Sequence, residues 1–238
     1  MDVLLGRFSA PEQSWGSQSR FIERDTGREV TKSGAIGLLC AALGKPREER
    51  PGDGFPTLAE LSSLRFGVRV DREGIVIKDF QTAGGGQWVD GEYGVVTADG
   101  KRKLNPVVSN RYYLSDAVFL VGFEGDPALI ERLDRALEDP VWPLFLGRKA
   151  CVPGEPVRLP GGSIRKGISL EEALSKEPWL LGDWGWIARK KPEQLRVVID
   201  GQAEDGDIRQ DVPLSFSQED RLYAVKLQAQ LKEKGYAK

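Results

Sequence analysis

The order of its periodic runs is what most limits how this chain can fold. Val3 to Phe8 reads as a strand. A helix from Ser33 to Leu43 follows a long polar segment, with Ile36, Leu39, Cys40 and Leu43 at i, i+3, i+4 and i+7, and Gly44 with Pro46 stopping it. Thr57-Leu58-Ala59-Glu60 has capping-box spacing ahead of a short helix able to bury Leu58, Leu61 and Leu64. Phe66, Val68 and Val70 alternate with small or polar residues, Asp71 to Gly74 reads as a turn, and Ile75 to Phe80 is again β-rich, which predicts a hairpin. Periodicity then vanishes from Gln81 to Asn110, a stretch too long for an ordinary connection, and returns as a strand from Tyr112 to Glu124. Asp126-Pro127 opens a helix with Leu129, Ile130, Leu133 and Leu137 on one face, and Trp142 to Leu146 supplies a further strand. The order β, α, β, β, insertion, β, α, β predicts an α+β chain with a ferredoxin-like (RRM-like) N-terminal domain and a projecting insertion. Right-handed crossovers would place both helices on one sheet face, leaving the other, where RRM-type sheets meet RNA.

Composition shifts at Pro153 to Gly162, which puts a boundary near Val152 and divides the chain into residues 1–151 and a smaller β-rich part, 152–238. The second part holds β-prone runs at Leu195 to Ile199 and Leu222 to Leu227, a capped helix from Ser169 to Ser175, and a Trp-rich piece around Trp179, Trp184 and Trp186. Gln218 to Lys238 fits strand or helix.

Several function classes are disfavoured. The 238 residues contain no histidine, which removes Ser-His-Asp and Cys-His nucleophile pairs, imidazole metal ligands and the residue best matched to proton transfer near neutral pH. Cys40 on an apolar helix face and Cys151 after a basic pair form neither a disulfide framework nor a metal site. No apolar run is long enough to span a bilayer, and the N-terminus lacks the features of a signal peptide, so a cytoplasmic protein is expected. A nucleotide-binding loop also fails, because G-x-x-x-x-G-K-[ST] needs glycines where Thr26 and Thr31 stand.

Charge points instead to a polyanion. The net charge is only −2, but Asp99 to Arg111 carries a local +3 through Lys101, Arg102, Lys103 and Arg111, and Leu146 to Ile168 a local +4 that includes Arg148 and Lys149. Cations gathered in glycine-containing, aromatic-flanked islands suit a nucleic acid. Trp88, Tyr112 and Tyr113 flank the first island and offer faces to unstacked bases. Thr31-Lys32-Ser33-Gly34 adds a helix start with free N–H groups, a lysine in reach and a glycine that admits a ligand.

Trp15-Gly16, Thr26-Gly27-Arg28, Thr31-Lys32-Ser33-Gly34, Gly37 to Gly44, Arg69-Val70-Asp71, Lys78 to Thr82, Tyr113 to Ala117 and Gly147-Arg148-Lys149-Ala150-Cys151 together closely resemble the CasD family of CRISPR-associated RAMP proteins, a subunit family of type I-E Cascade. The match covers most of residues 3 to 160 in order. The resemblance implies an RRM-like domain with a β-hairpin thumb near residues 81–111. It also implies a non-catalytic role without cofactor or metal, holding the 5′ handle of crRNA beside the backbone and large subunits. On this resemblance Trp15, Gln18, Lys32 and Ser33 would form part of a handle pocket, Arg148 and Lys149 would contact its phosphates, and Gln81, Lys101, Arg102, Lys103 and Arg111 would add RNA contacts. Gln81 stands where relatives commonly carry histidine. The alternative is a metal-independent endoribonuclease using Tyr112 or Tyr113 with Lys32 or Lys149, and a third class is a general single-strand RNA binder.

Overall fold

The computed structural model describes residues 1–16, 22–85, 95–96, 100–103, 105–181, 192–201, 207–219 and 221–231. In chain order the elements are β1 (Asp2–Ser9), β2 (Glu12–Gln13), β3 (Glu23–Arg24), α1 (Lys32–Leu43), α2 (Leu58–Ser63), β4 (Arg65–Arg72), β5 (Ile75–Ala83), β6 (Val95–Val96) and β7 (Arg102–Lys103). They continue as β8 (Val107–Ser115), β9 (Val118–Gly125), α3 (Pro127–Glu138), β10 (Ile164–Lys166), α4 (Leu170–Lys176), β11 (Arg196–Asp200), β12 (Asp207–Ser215) and β13 (Leu222–Leu231). The capped elements form where their local signals stand. Thr31 caps α1 and left-handed Gly44 ends it, Thr57 and Glu60 close a capping box on α2, and Asp126 accepts from the N–H groups of Ala128 and Leu129 at the head of α3.

Strand pairing departs from the local signals. A seven-stranded sheet runs β10-β1-β9-β4-β11-β13-β12, so strands from both sides of Val152 share one sheet. The expected hairpin of β4 with β5 does not form: β4 pairs with β9 and β11, and β5 pairs with β8. The chain does not reverse at Asp71 to Gly74. Residues 65–83 instead run against residues 107–125 as one long antiparallel ribbon, with Arg65↔Glu124 near one end, Ala83↔Val107 at the other, and a bulge between Val70 and Arg72. Where the ribbon passes from the large sheet to the small one, Gly74 (φ +71°) and Asp116 (φ +60°) are both left-handed, and the Arg72 guanidinium donates to the Asp116 carbonyl and carboxylate. Pairing to Ala83 and Val107 brings the two ends of the stretch that lacks sequence periodicity, residues 81–83 and 107–110, into strand.

Trp142 to Leu146 is no strand either. The N–H groups of Val141 and Trp142 donate to the Ala42 and Ala41 carbonyls at 3.0 and 3.2 Å, closing the end of α1, and β10 takes the place beside β1.

The sheet's two faces hold separate cores. Leu4, Phe8, Phe66, Val68, Phe119, Val121 and Phe123 pack with α1, α2 and α3 on one side. On the other, Val3, Leu5, Leu120, Val197 and Ile199 pack with Leu170, Ala173 and Leu174 of α4. The face expected to be open to RNA is therefore covered, because strand alternation places apolar side chains on it too. Gly67 and Gly122, paired across β4 and β9, make room: a Cβ on Gly122 would lie 2.5 Å from Leu170 Cδ1. Arg69, 2% exposed at its side chain, locks the end of α4 by donating to the carbonyls of Leu174, Glu177 and Pro178 while Asp71 pairs with it at 2.7 Å. Trp179 Nε1 adds a hydrogen bond to the Asp71 carbonyl.

Candidate nucleic-acid interface

Two N–H groups at the start of α1 find acceptors within the chain. Thr31 Oγ1 accepts from Gly34 N at 3.3 Å, and the Asp211 carboxylate on β12 accepts from Lys32 N at 2.9 Å. The Lys32 ammonium pairs with Asp200 on β11 at 2.9 Å, its side chain only 6% exposed. Lys32 thus faces β11, and two carboxylates from the C-terminal strands accept from its ammonium and its N–H. Glu29, just upstream and buried, is bound by Arg196 on β11 at 2.8 Å and by Arg209 on β12. Burial pushes the Glu29 carboxyl up, but Arg209 and Arg196 outweigh it and hold it below its ordinary value.

Beside this helix start lies a cavity of about 250 Å³. Ser14, Trp15 and Gly16 with Asp25 contribute from the segment before α1, Thr31, Ser33 and Gly34 from its cap and first turn, Gly147 and Arg148 from the loop after α3, Phe216 from just past β12 and Tyr223 from β13. Three expected handle residues, Trp15, Ser33 and Arg148, therefore converge. Trp15 is 2% exposed: its ring stacks on Phe8 with centroids 5.8 Å apart, and its Nε1 donates to Gln13. It fixes a wall more than it offers a face. Gly34 is required by that ring, since a Cβ would lie 2.9 Å from Trp15 Cε3. Gly147 (φ +97°) does allow a close backbone approach, but to Ser14, whose carbonyl oxygen lies 1.8 Å from where a Cβ would stand.

Arg148 joins three segments. It donates to the Tyr112 carbonyl at 3.0 Å and to the Arg24 and Asp25 carbonyls at 2.8 and 3.1 Å, and its guanidinium sits 4.7 Å from the centre of the Tyr113 ring. Lys149, next in sequence, is exposed. Tyr113 is buried at 3% exposure, while the Tyr112 ring, on the opposite face of β8, lies 5.8 Å from the Lys78 ammonium.

The ribbon continues outward from Arg148. Ile77↔Tyr113, Asp79↔Arg111 and Gln81↔Ser109 are cross-strand pairs on one face, so Arg148, Arg111 and Gln81 form a polar stripe leading away from the cavity. Gln81 donates to Asp79, and Arg111 Nε donates to Ser109 Oγ at 3.3 Å. Arg102 and Lys103 belong to β7, paired with β6, and Lys101 is exposed just before them. Gln18, Trp88, Trp184 and Trp186 lie outside the described residues. Sequence reasoning missed Asp25, Phe216 and Tyr223; the last two stand about 200 residues from Trp15, and no local pattern distinguishes them from ordinary strand residues.

Cys40 and Cys151 are both buried free thiols. Burial pushes the Cys40 thiol up to about 12 and also raises that of Cys151, so neither is poised as a thiolate nucleophile. No helix among the described residues is long and apolar enough to cross a membrane.

The family model described as CRISPR-associated protein (Cas_Cas5) matches residues 3–227, extending the likeness from the motifs before residue 160 into the C-terminal strands. The CRISPR system Cascade subunit CasD of Escherichia coli (strain K12) is 30% identical over 183 residues, 74% of this chain and 77% of that protein. A chain of a solved CRISPR RNA-guided surveillance complex superposes with a TM-score of 0.74 at 31% identity, covering 96% of this chain and 89% of its own. A solved Cas protein reaches 0.65 at 39% identity over 94% of each chain. With the family match running through nearly every element described above, the chain belongs to the Cas5 family of CRISPR-associated proteins.

Proposed function

We propose that this chain is a non-catalytic RNA-binding subunit of a type I-E CRISPR surveillance complex in the cytoplasm. It would hold the 5′ handle of crRNA and contact the backbone and large subunits in antiviral defence. The observation that carries this reading is the convergence of Trp15, Ser33 and Arg148 on one cavity at the root of a ribbon that continues the polar stripe through Arg111 and Gln81. Lys149 supplies an exposed cation beside it for the RNA backbone. The ribbon of β5 and β8 would be the stem of the thumb, and exposed Ile75, Val76 and Phe80 on β5 suit contact with a neighbouring subunit. The endoribonuclease alternative draws no support from Lys32 or Tyr113, since the first is ion-paired with Asp200 and the second lies buried beneath Arg148.

The test is incubation of the purified chain with end-labelled repeat RNA and with crRNA carrying a native or scrambled 5′ handle, read on native and denaturing gels. A shift that depends on the native handle, with the RNA intact, is expected. A discrete cleavage product that survives repurification, or equal binding of both handles with a steep salt dependence, would replace this reading with an enzyme or a general single-strand binder.

A further inference from the structure

The cavity is poorly suited to a phosphate. Its charged lining residues are Asp25 and Arg148, one of each sign, and Arg148 already donates three hydrogen bonds to main-chain carbonyls. The nearby helix N–H groups of Lys32 and Gly34 have acceptors in Asp211 and Thr31. A carboxylate in the lining opposes an anion but accepts from the N–H groups that bases display on their edges. Ser14, Thr31 and Ser33 add hydroxyls that both donate and accept. At about 250 Å³ the space falls below the roughly 300–1,000 Å³ of pockets for drug-sized ligands, enough for a single heterocycle.

Two of its lining residues come from the C-terminal part of the chain. Phe216 follows β12, packed partly against the main core, and Tyr223 lies on β13. β11 and β12, which flank β13 in the sheet, are fixed to the opening of α1 by a set of charged contacts: Glu29 with Arg196 and Arg209, the Lys32 ammonium with Asp200, and the Lys32 N–H with Asp211. Ser62 Oγ also donates to the Pro213 carbonyl at 2.8 Å. An aromatic wall held in this way is pre-organised before a ligand arrives.

We propose that the cavity takes one unstacked nucleobase, with Phe216 and Tyr223 as its stacking wall and Asp25 and Ser33 as polar groups for the base edge, while the phosphates stay outside near Lys149. This rests on the reading of the chain as an RNA-handle binder, and it adds the ligand class and a C-terminal contribution that the sequence motifs do not contain.

The experiment measures binding of the full chain by fluorescence anisotropy to handle RNAs carrying an abasic nucleotide at each position in turn, alongside native and scrambled handles. It uses the wild type, Tyr223→Ala, Tyr223→Phe, Phe216→Ala and Tyr223→Leu, the last keeping apolar volume without a π face. At one position the abasic substitution should weaken wild-type binding about 5- to 150-fold. Tyr223→Ala and Tyr223→Leu should weaken intact RNA comparably and remove the abasic penalty at that position, whereas Tyr223→Phe keeps it and the salt slope stays unchanged. Native-handle preference without any position coupled to Tyr223 or Phe216, or a Tyr223→Leu effect that appears as a reduced salt slope, overturns the base pocket and leaves handle binding standing. Coupling at one position without native-handle preference overturns the handle reading and leaves the base pocket standing. Absence of RNA binding overturns both.

Discussion

Arg148 and Lys149 are neighbouring cations with different surroundings, and substituting them separately distinguishes bracing from contact. Lys149→Glu changes an exposed charge. It should weaken handle binding, lower the salt slope by about 1, and leave the melting temperature within about a degree or two of wild type. Arg148→Ala removes three hydrogen bonds and the guanidinium over Tyr113, so thermal denaturation should show a loss of about 1.5–3 kcal/mol along with weaker binding. Gly147 tests the same loop from its backbone. Gly147→Ala places a Cβ against the Ser14 carbonyl at a left-handed φ, and a destabilisation of about 3 kcal/mol or more, or insoluble expression, is expected. Lys32 shows what residue type alone leaves open: a lysine at a helix start signals an anion, and in this structure its ammonium pairs with Asp200 of the same chain.

Between elements, the join of the segment before α1 to β11 and β12 is electrostatic and carries a pH dependence. Glu29 has a lowered folded-state pKa, held down by Arg209 and Arg196 against the upward push of burial. Its contribution is therefore complete above the ordinary carboxylate value of 4.5 and declines as pH falls from there through the lowered value. Glu29→Gln should cost about 1–3 kcal/mol at pH 7 and flatten the acid limb of stability, as measured by thermal denaturation between pH 3 and 7. A variant with the same acid limb as wild type would mean that other carboxylates govern it. The ribbon is legible in part: alternation marks both of its halves as strands, yet Val68 and Ile77 carry no sign that their partners are Val121 and Tyr113, and a nearby turn-like Asp71 to Gly74 points to the wrong pairing.

For the molecule as a whole, the second face of the sheet decides whether residues 1–151 stand alone. Val3, Leu5 and Leu120 lie under α4, and Arg69 with Asp71 fastens the end of that helix from β4. Arg69→Ala leaves a buried carboxylate without its partner and should cost about 3–5 kcal/mol in denaturant unfolding. A fragment ending at Val152 should bind a hydrophobic dye and unfold without cooperativity; a cooperative transition in that fragment would support an autonomous N-terminal domain. Sequence alone determined the helix caps, the ends of α1, the strand character of β1 and β11, and the motifs that carry the family likeness. Those depend on side chains within a few positions of the backbone they satisfy. Tertiary structure alone decided that β4 runs on into β5 without turning, that Asp200 and Asp211 occupy the helix start, that α4 covers the expected RNA face, and that Phe216 and Tyr223 line the cavity. Each of these joins residues tens to about two hundred positions apart, where burial and charge pairing select the partner and local pattern is indifferent to it.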